Sequence, residues 1–153
     1  MAKFNPIARH KARRYALQAL YQWQLTGNPS LELELQFTAD YDLRKVDQEY
    51  FKKIIHDVPL LITQLDEYIL PVLADRIISE VTPVEITILR ISTYELAQCL
   101  DIPYRVIINE GLELAKTFGA QESHKFINGV LDRLARQLRS HEINMPHPPQ
   151  KKL

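Results

Sequence analysis

Five basic side chains and a histidine lie close together at the start of the chain, where they could bind phosphate groups. These residues are Lys3, Arg9, His10, Lys11, Arg13 and Arg14. Residues 1–31 contain no acidic side chain, although the whole chain has 19 basic and 19 acidic residues. Such a local excess of positive charge is the expected footprint of a polyanion such as RNA or DNA. A short basic run can also be a solvated helix end or a flexible arm, and charge alone leaves both interpretations open.

The spacing of apolar residues predicts that one helix, from Arg9 to Leu25, carries most of this charge. The apolar positions with helical spacing are Ala12, Ala16, Ala19, Leu20 and Trp23, and Gly27, Asn28 and Pro29 follow them. Side chains three and four residues apart are neighbours on a helix. We therefore expect Arg9, His10, Arg13 and Arg14 to project from one flank as a continuous strip, which could follow successive phosphates.

The composition favours a binding protein over an enzyme. A chain of 153 residues with 46% hydrophobic content suits one compact domain. It lacks a phosphate-binding loop of the Walker type, a Gly-x-Gly-x-x-Gly motif and a His-Glu-x-x-His motif, and its five histidines are dispersed. Cys99 is the single cysteine, and no apolar run of about 18 residues occurs. We expect a cytoplasmic protein without catalytic residues, cofactor or metal.

Helical signals recur along the rest of the chain and predict an all-α fold. Asp47 is expected to cap one helix, and Pro59 to open the next, which Pro71 should kink or divide. Residues 31–46 should hold a short helix and a loop. Residues 82–85, Thr-Pro-Val-Glu, are typical of a capping box, so a helix must begin there, with a buried face that includes Leu100.

The C-terminal third predicts two further helices with defined ends. Gly119 suits a left-handed C-cap, Ser123 is expected to cap the last helix, and Gly129 within that helix indicates close packing against another helix. We expect a flexible N-terminal arm at residues 1–8, an RNA-binding helical domain at residues 9–140 and a disordered C-terminal tail at residues 141–153.

Four segments together resemble the bacterial transcription antitermination factors of the NusB family. They are RYALQALYQWQ at residues 14–24, LRISTYEL at residues 89–96, IPYRVIINEGLELAKTFG at residues 102–119 and SHKFINGVLD at residues 123–132. Each segment is modest alone, but their order and spacing across residues 9–136 are highly specific. The resemblance implies a NusB-like bundle of two three-helix sub-bundles with an extra helix, about seven helices in all, and no catalysis.

The resemblance also implies partners. Proteins of this family pair with ribosomal protein NusE, and the heterodimer binds the boxA element of RNA, notably in ribosomal RNA operons. There it helps RNA polymerase, with NusA and NusG, to read through terminators. We therefore expect boxA-type RNA and NusE as partners, and leave open a homodimer in the absence of NusE.

The family's RNA surface includes its first helix and the start of its last helix. In this chain the corresponding RNA-binding residues are Arg9, His10, Lys11, Arg13, Arg14, Glu122, Lys125 and Phe126. Glu122 could accept hydrogen bonds from a base edge, while Phe126 could stack on a base or simply be a core aromatic residue. Some relatives are acidic where this chain has Arg14. The chain also lacks a tyrosine that relatives can have after the proline at position 71.

For the NusE surface we expect residues at and before the capping-box helix, namely Glu80, Glu85, Arg90 and Tyr94. Acidic groups there would complement a basic ribosomal protein. Ordinary surface is the alternative for each, and Tyr94 could equally be buried. Two other functions stay open: the NusB-like domain of a ribosomal RNA cytosine methyltransferase, and a helical scaffold that binds only protein.

Overall fold

The computed structural model describes residues 5–145, and within that range it contains eight α-helices and no strand. The helices are α1 (Pro6–Thr26), α2 (Ser30–Asp40), α3 (Gln48–Leu60), α4 (Ile62–Ile69), α5 (Pro83–Gln98), α6 (Tyr104–Phe118), α7 (Ser123–Leu138) and α8 (Ser140–Asn144). Two short 3-10 turns, Leu70–Val72 and Ile78–Glu80, lie between α4 and α5. The all-α prediction is confirmed. None of these helices is both long and apolar enough to cross a bilayer.

The helices pack as two groups of three. Helices α1, α2 and α3 contact one another, and so do α5, α6 and α7, while α1 also packs on α5 and joins the two groups. Helix α4 lies against α5 and α7. The central helix α5 is almost wholly buried, and a single core of buried apolar side chains runs through both groups.

Several local signals predict helix ends correctly. The Asp47 carboxylate accepts from the Tyr50 amide at 3.1 Å, and the capping box of Thr82 and Glu85 is present. Gly27 ends α1 with a φ of 71°, a left-handed conformation that suits glycine. Helix α4 ends before Pro71, as predicted.

Other end predictions are wrong. Helix α1 begins at Pro6, capped by the Asn5 side chain, so residues 6–8 are not a flexible arm. Pro59 lies in the last turn of α3 and does not open the next helix. Gly119 is extended, with a φ of −87°, and Ser123 is the buried first residue of α7, preceded by Glu122. Residues 1–4 and 146–153 of the expected arm and tail lie outside the described range.

The close approach of helices occurs at Gly111 and not at Gly129. A β-carbon at Gly111 would lie 2.8 Å from Leu131 Cδ1 and 2.9 Å from Ser92 Oγ, where α5, α6 and α7 meet. At Gly129 the nearest group is the flexible Arg133 guanidinium at 3.5 Å. Leu100, expected on the buried face of α5, is exposed because the helix ends two residues earlier.

A buried arginine explains why helix α8 forms where a disordered tail was expected. Arg139 donates to the backbone oxygens of Leu96, Cys99 and Ile102 at 2.8–3.0 Å, and to the Glu142 carboxylate at 2.6 Å. Glu142 in turn accepts from the Tyr104 amide at 2.9 Å. Arg139 thus satisfies carbonyls at the end of α5 and holds α8 against the start of α6.

Candidate nucleic-acid interface

Helix α1 does not present its basic residues as one strip, because Arg13 faces the core. Its side chain is buried, and it donates from Nε to Glu95 Oε1 at 3.0 Å and from Nη2 to Glu95 Oε2 at 2.8 Å. The Tyr50 hydroxyl also donates to Glu95, and Glu110 lies 3.8 Å from Arg13 Nη1. Burial opposes the charge of Arg13, but Glu95 pairs with it and raises the pKa of Arg13 above its usual value. The prediction that Arg13 projects toward RNA is wrong about its position.

His10 and Arg9 lie beside Arg13 and are also engaged by carboxylates. His10 Nδ1 is 2.6 Å from Glu110 Oε2 on α6, and Arg9 Nε is 3.4 Å from Asp47 Oδ2. The Arg9 guanidinium also lies 4.3 Å from the centre of the Tyr50 ring. These contacts join α1 to α3 and α6, and the carboxylates offset part of the attraction that Arg9 and His10 would exert on phosphate.

Lys11 and Arg14 lie on a different flank of α1 from Arg9 and Arg13, and they line a concave surface there. This surface, the basic cleft, has a volume of about 330 Å³ and is lined by Lys11, Arg14, Tyr15, Gln18, Tyr41, Asp42, Lys45 and Val46. The side chains come from α1 and from the loop between α2 and α3. Cations interleaved with aromatic rings suit single-stranded RNA, which offers both phosphates and base faces.

A second concavity, the aromatic groove, adjoins the basic cleft. It has a volume of about 450 Å³, and its apolar lining comprises Leu17, Tyr21, Leu25, Phe37, Tyr41, Val84 and Phe118. Gln18 and Tyr41 line both concavities. The Arg14 guanidinium lies 5.9 Å from the centre of the Phe118 ring, so Phe118 connects the end of α6 to the basic flank of α1.

The start of α7 follows Phe118 after a short turn. Glu122 and Lys125 are both largely exposed and form an ion pair of 2.8 Å. The Phe126 ring is half-buried, with the Arg76 guanidinium 4.1 Å from its centre. The ring packs against the core and keeps an accessible portion, and its stacking on a base stays a prediction.

The four residues expected at the NusE surface occupy different environments. Glu80 is exposed at the end of the second 3-10 turn, and Arg90 is half-buried and donates twice to Asp66 at 2.9 Å. Glu85 is 3% exposed, since its carboxylate serves the capping box, and Tyr94 is 1% exposed. The expectation of an exposed Glu85 is therefore wrong, whereas the alternative of a buried Tyr94 is confirmed.

Tyr94 is held by its hydroxyl group. The hydroxyl donates to Asp57 Oδ2 at 2.5 Å. Burial, followed by this hydrogen bond, raises the pKa of Tyr94 well above the usual range of tyrosine. Tyr94 therefore joins α5 to α3 and does not face a partner protein.

Four residues that line the basic cleft were not predicted from the sequence, namely Tyr15, Gln18, Tyr41 and Lys45. Tyr15 and Gln18 follow Lys11 and Arg14 at i+4 spacing, so the helical period could have placed them on the same flank. No local signal places Tyr41 and Lys45 beside α1, because that placement depends on how the α2–α3 loop packs. Near Glu80, Ile77 and Ile78 are exposed apolar residues that were also not assigned a role from the sequence.

Within residues 5–145, no three His, Cys, Asp or Glu side chains cluster to hold a metal ion.

Comparison with known proteins gives one consistent result. The NusB family model matches residues 10–136. Transcription antitermination protein NusB of Alcanivorax borkumensis is 53% identical over 144 residues, which cover 94% of this chain and 95% of the relative. The protein of that name from Pseudomonas fluorescens strain Pf0-1 is 50% identical over 135 residues, covering 88% of this chain and 81% of the relative.

The fold agrees with a solved structure. T. maritima NusB is 28% identical in sequence and superposes with a TM-score of 0.77, over 94% of this chain and all of the T. maritima chain. The relatives are named for transcription antitermination and not for an enzymatic activity.

Proposed function

Since the chain belongs to the NusB family, we propose that it is a transcription antitermination factor that binds boxA-type RNA as a heterodimer with ribosomal protein NusE. In this role it supports transcription of ribosomal RNA operons, together with RNA polymerase, NusA and NusG. This role places its action in the cytoplasm.

The basic cleft is the observation that carries the RNA-binding part of this proposal. Lys11 and Arg14 project from α1 beside Tyr15 and Tyr41. No ion pair of Lys11 or Arg14 is found within residues 5–145. Because these two charges are not neutralised, they are available to phosphates, whose binding releases counterions and makes affinity depend on salt.

Sequence preference requires contacts to bases, and the start of α7 is the proposed source. The Glu122 carboxylate could accept a hydrogen bond from a base edge once its exposed ion pair with Lys125 opens. Lys125 would then be available to bind a phosphate. The accessible part of the Phe126 ring could stack on a base. Arg9 and His10 contribute at the margin, because carboxylates already engage them.

For NusE we propose the surface around Glu80, with the exposed part of Arg90. Glu80 lies beside exposed Ile77 and Ile78, so the surface offers apolar area next to a negative charge. Such a combination suits a basic ribosomal protein. Glu85 fixes the start of α5 beside this surface through the capping box. Without NusE the same apolar area could pair two copies, and the molar mass in solution at increasing concentration distinguishes a homodimer from a monomer.

The test is binding of a fluorescent boxA RNA and a scrambled RNA by this protein with NusE, in moderate salt. We expect clear preference for boxA, with the binding of both RNAs weakened in Arg14→Glu but unchanged in Lys52→Glu, which reverses an exposed charge that lines neither concavity. Equal binding of the two RNAs would refute a boxA-specific role. Binding of NusE without any RNA binding would favour a protein-only scaffold.

A further inference from the structure

We propose that the basic cleft is a nucleotide subsite, in which Tyr41 stacks on one base of single-stranded RNA and Lys45, with Lys11 and Arg14, holds the neighbouring phosphate. The inference rests on the proposed function and deepens it. It extends the RNA path from α1 across to the α2–α3 loop, a segment that neither the charge pattern nor the resemblance assigns to RNA.

Tyr41 provides an anchored aromatic face. It follows the last residue of α2 with extended backbone, and its amide donates to the Phe37 carbonyl at 3.1 Å. The ring centre lies 5.1 Å from the ring centres of both Tyr15 and Phe37, yet Tyr41 remains 41% exposed. A ring that is held by neighbouring rings and is still partly exposed loses little conformational entropy when a base stacks on it.

The charge around this ring is positive. Lys11, Arg14 and Lys45 line the cleft, and Asp42 is the single acid among the lining residues. Asp42 is already engaged, because Arg44 donates to it from Nε at 2.9 Å and from Nη2 at 2.8 Å. These hydrogen bonds hold the pKa of Asp42 below its usual value. The carboxylate is therefore offset by Arg44, and a net positive surface faces the cleft.

The shape of the cleft favours an unpaired nucleotide. Its volume of about 330 Å³ lies at the small end of ligand sites, the scale of a single nucleotide. In a duplex the base faces are covered by neighbouring bases, so stacking on Tyr41 requires a single strand. The amide of Gln18 lies between the basic cleft and the aromatic groove, where it could meet a base edge on either side.

The experiment measures binding of boxA RNA with unpaired flanks by the heterodimer with NusE, across a range of salt concentrations. We expect Tyr41→Leu to weaken binding about 5- to 100-fold with an unchanged salt slope, because it removes stacking and no charge. Lys45→Ala should reduce the slope of log K against log salt by about 0.7, the value for one phosphate of a single strand. Tyr41→Phe keeps the ring and should bind as the wild type does. Lys52→Ala is the matched control for Lys45.

A spectroscopic readout locates the stacked base. A 2-aminopurine placed in turn at each RNA position should be quenched at one position by the wild type and by Tyr41→Phe, but not by Tyr41→Leu. Thermal melts monitored by circular dichroism show whether each variant is folded.

The outcomes separate the two proposals. If the wild type prefers boxA RNA while Tyr41→Leu and Lys45→Ala bind as Lys52→Ala does, the subsite is refuted and the proposed function stands. If the wild-type heterodimer shows no preference for boxA over scrambled RNA, the proposed function fails and the subsite fails with it.

Discussion

Replacing Arg13 should damage the fold of this protein before it affects any RNA contact. Arg13 is 2% exposed and Glu95 is 1% exposed, and the two form a paired hydrogen bond across the junction of α1 and α5. The change Arg13→Met keeps most of the side-chain volume but removes the charge. It leaves the Glu95 carboxylate buried with the Tyr50 hydroxyl as its remaining close donor.

The size of the effect follows from the uncompensated charge. Removing one partner of a buried ion pair costs about 3–5 kcal/mol, out of a total stability of about 5–15 kcal/mol for a typical domain. For a chain of this length, each kcal/mol lowers the melting temperature by about 2–4 °C. We therefore expect Arg13→Met to melt roughly 6–20 °C below the wild type.

The assay is urea unfolding of four proteins. They are the wild type, the single variant Arg13→Met, the double variant Arg13→Met with Glu95→Met, and the triple variant that also carries Tyr50→Phe. Apolar replacement of a complete buried ion pair is often neutral, so the triple variant should recover most of the lost stability.

Two results would contradict this reasoning. A loss of less than about 1 kcal/mol in Arg13→Met would match an exposed side chain and not a buried ion pair. A folded Arg13→Met protein with wild-type stability but weakened RNA binding would restore Arg13 to the RNA surface.

Three further changes test other parts of the fold. Burial and the hydrogen bond to Asp57 raise the pKa of Tyr94, so the unfolded chain releases this phenolic proton at a lower pH than the folded protein does. The contribution of Tyr94 to stability is therefore full below about pH 10 and falls as the pH rises further. Urea unfolding between about pH 9 and 11 should show a less steep fall in Tyr94→Phe than in the wild type. Gly111→Ala should cost about 1–3 kcal/mol by overpacking, whereas Gly129→Ala, whose β-carbon would meet the flexible Arg133 guanidinium at an ordinary contact distance of 3.5 Å, should gain up to about 1 kcal/mol in thermal melts. Arg139→Met should lose about 2–5 kcal/mol, because it leaves several carbonyls unpaired, and hydrogen exchange should show the α8 amides exchanging faster.

Features set by neighbouring residues are the ones that the sequence predicts well. The capping box of α5, the Asp47 cap and the end of α1 at Gly27 each depend on a few consecutive residues, so local chemistry decides them. The helical period likewise predicts the all-α fold, because the buried positions of the helices other than α5 recur mainly on one face.

Features set by distant residues escape the sequence. Whether Arg13 faces water or core depends on where Glu95 of α5 lies, 82 positions further along the chain. Gly111 and Gly129 look alike in sequence, and only the meeting of α5, α6 and α7 distinguishes them. Helix α8 forms because Arg139 and Glu142 find partners on α5 and α6.

The residues of the candidate site likewise differ in how far apart they lie along the chain. Lys11 and Arg14 could be predicted from the sequence because they are close together on one helix. Tyr41 and Lys45 could not be predicted, because the packing of an intervening helix and loop brings them to the same cleft. A composite surface of this kind is visible only after folding.

The most direct test of the RNA face is photo-crosslinking of boxA RNA to the heterodimer with NusE, followed by mass spectrometry of the crosslinked peptides of this chain. We predict crosslinks in residues 11–21 of α1, in residues 41–45 of the α2–α3 loop and in residues 122–126 at the start of α7. Crosslinks confined to other parts of this chain, with none in those three segments, would contradict the account.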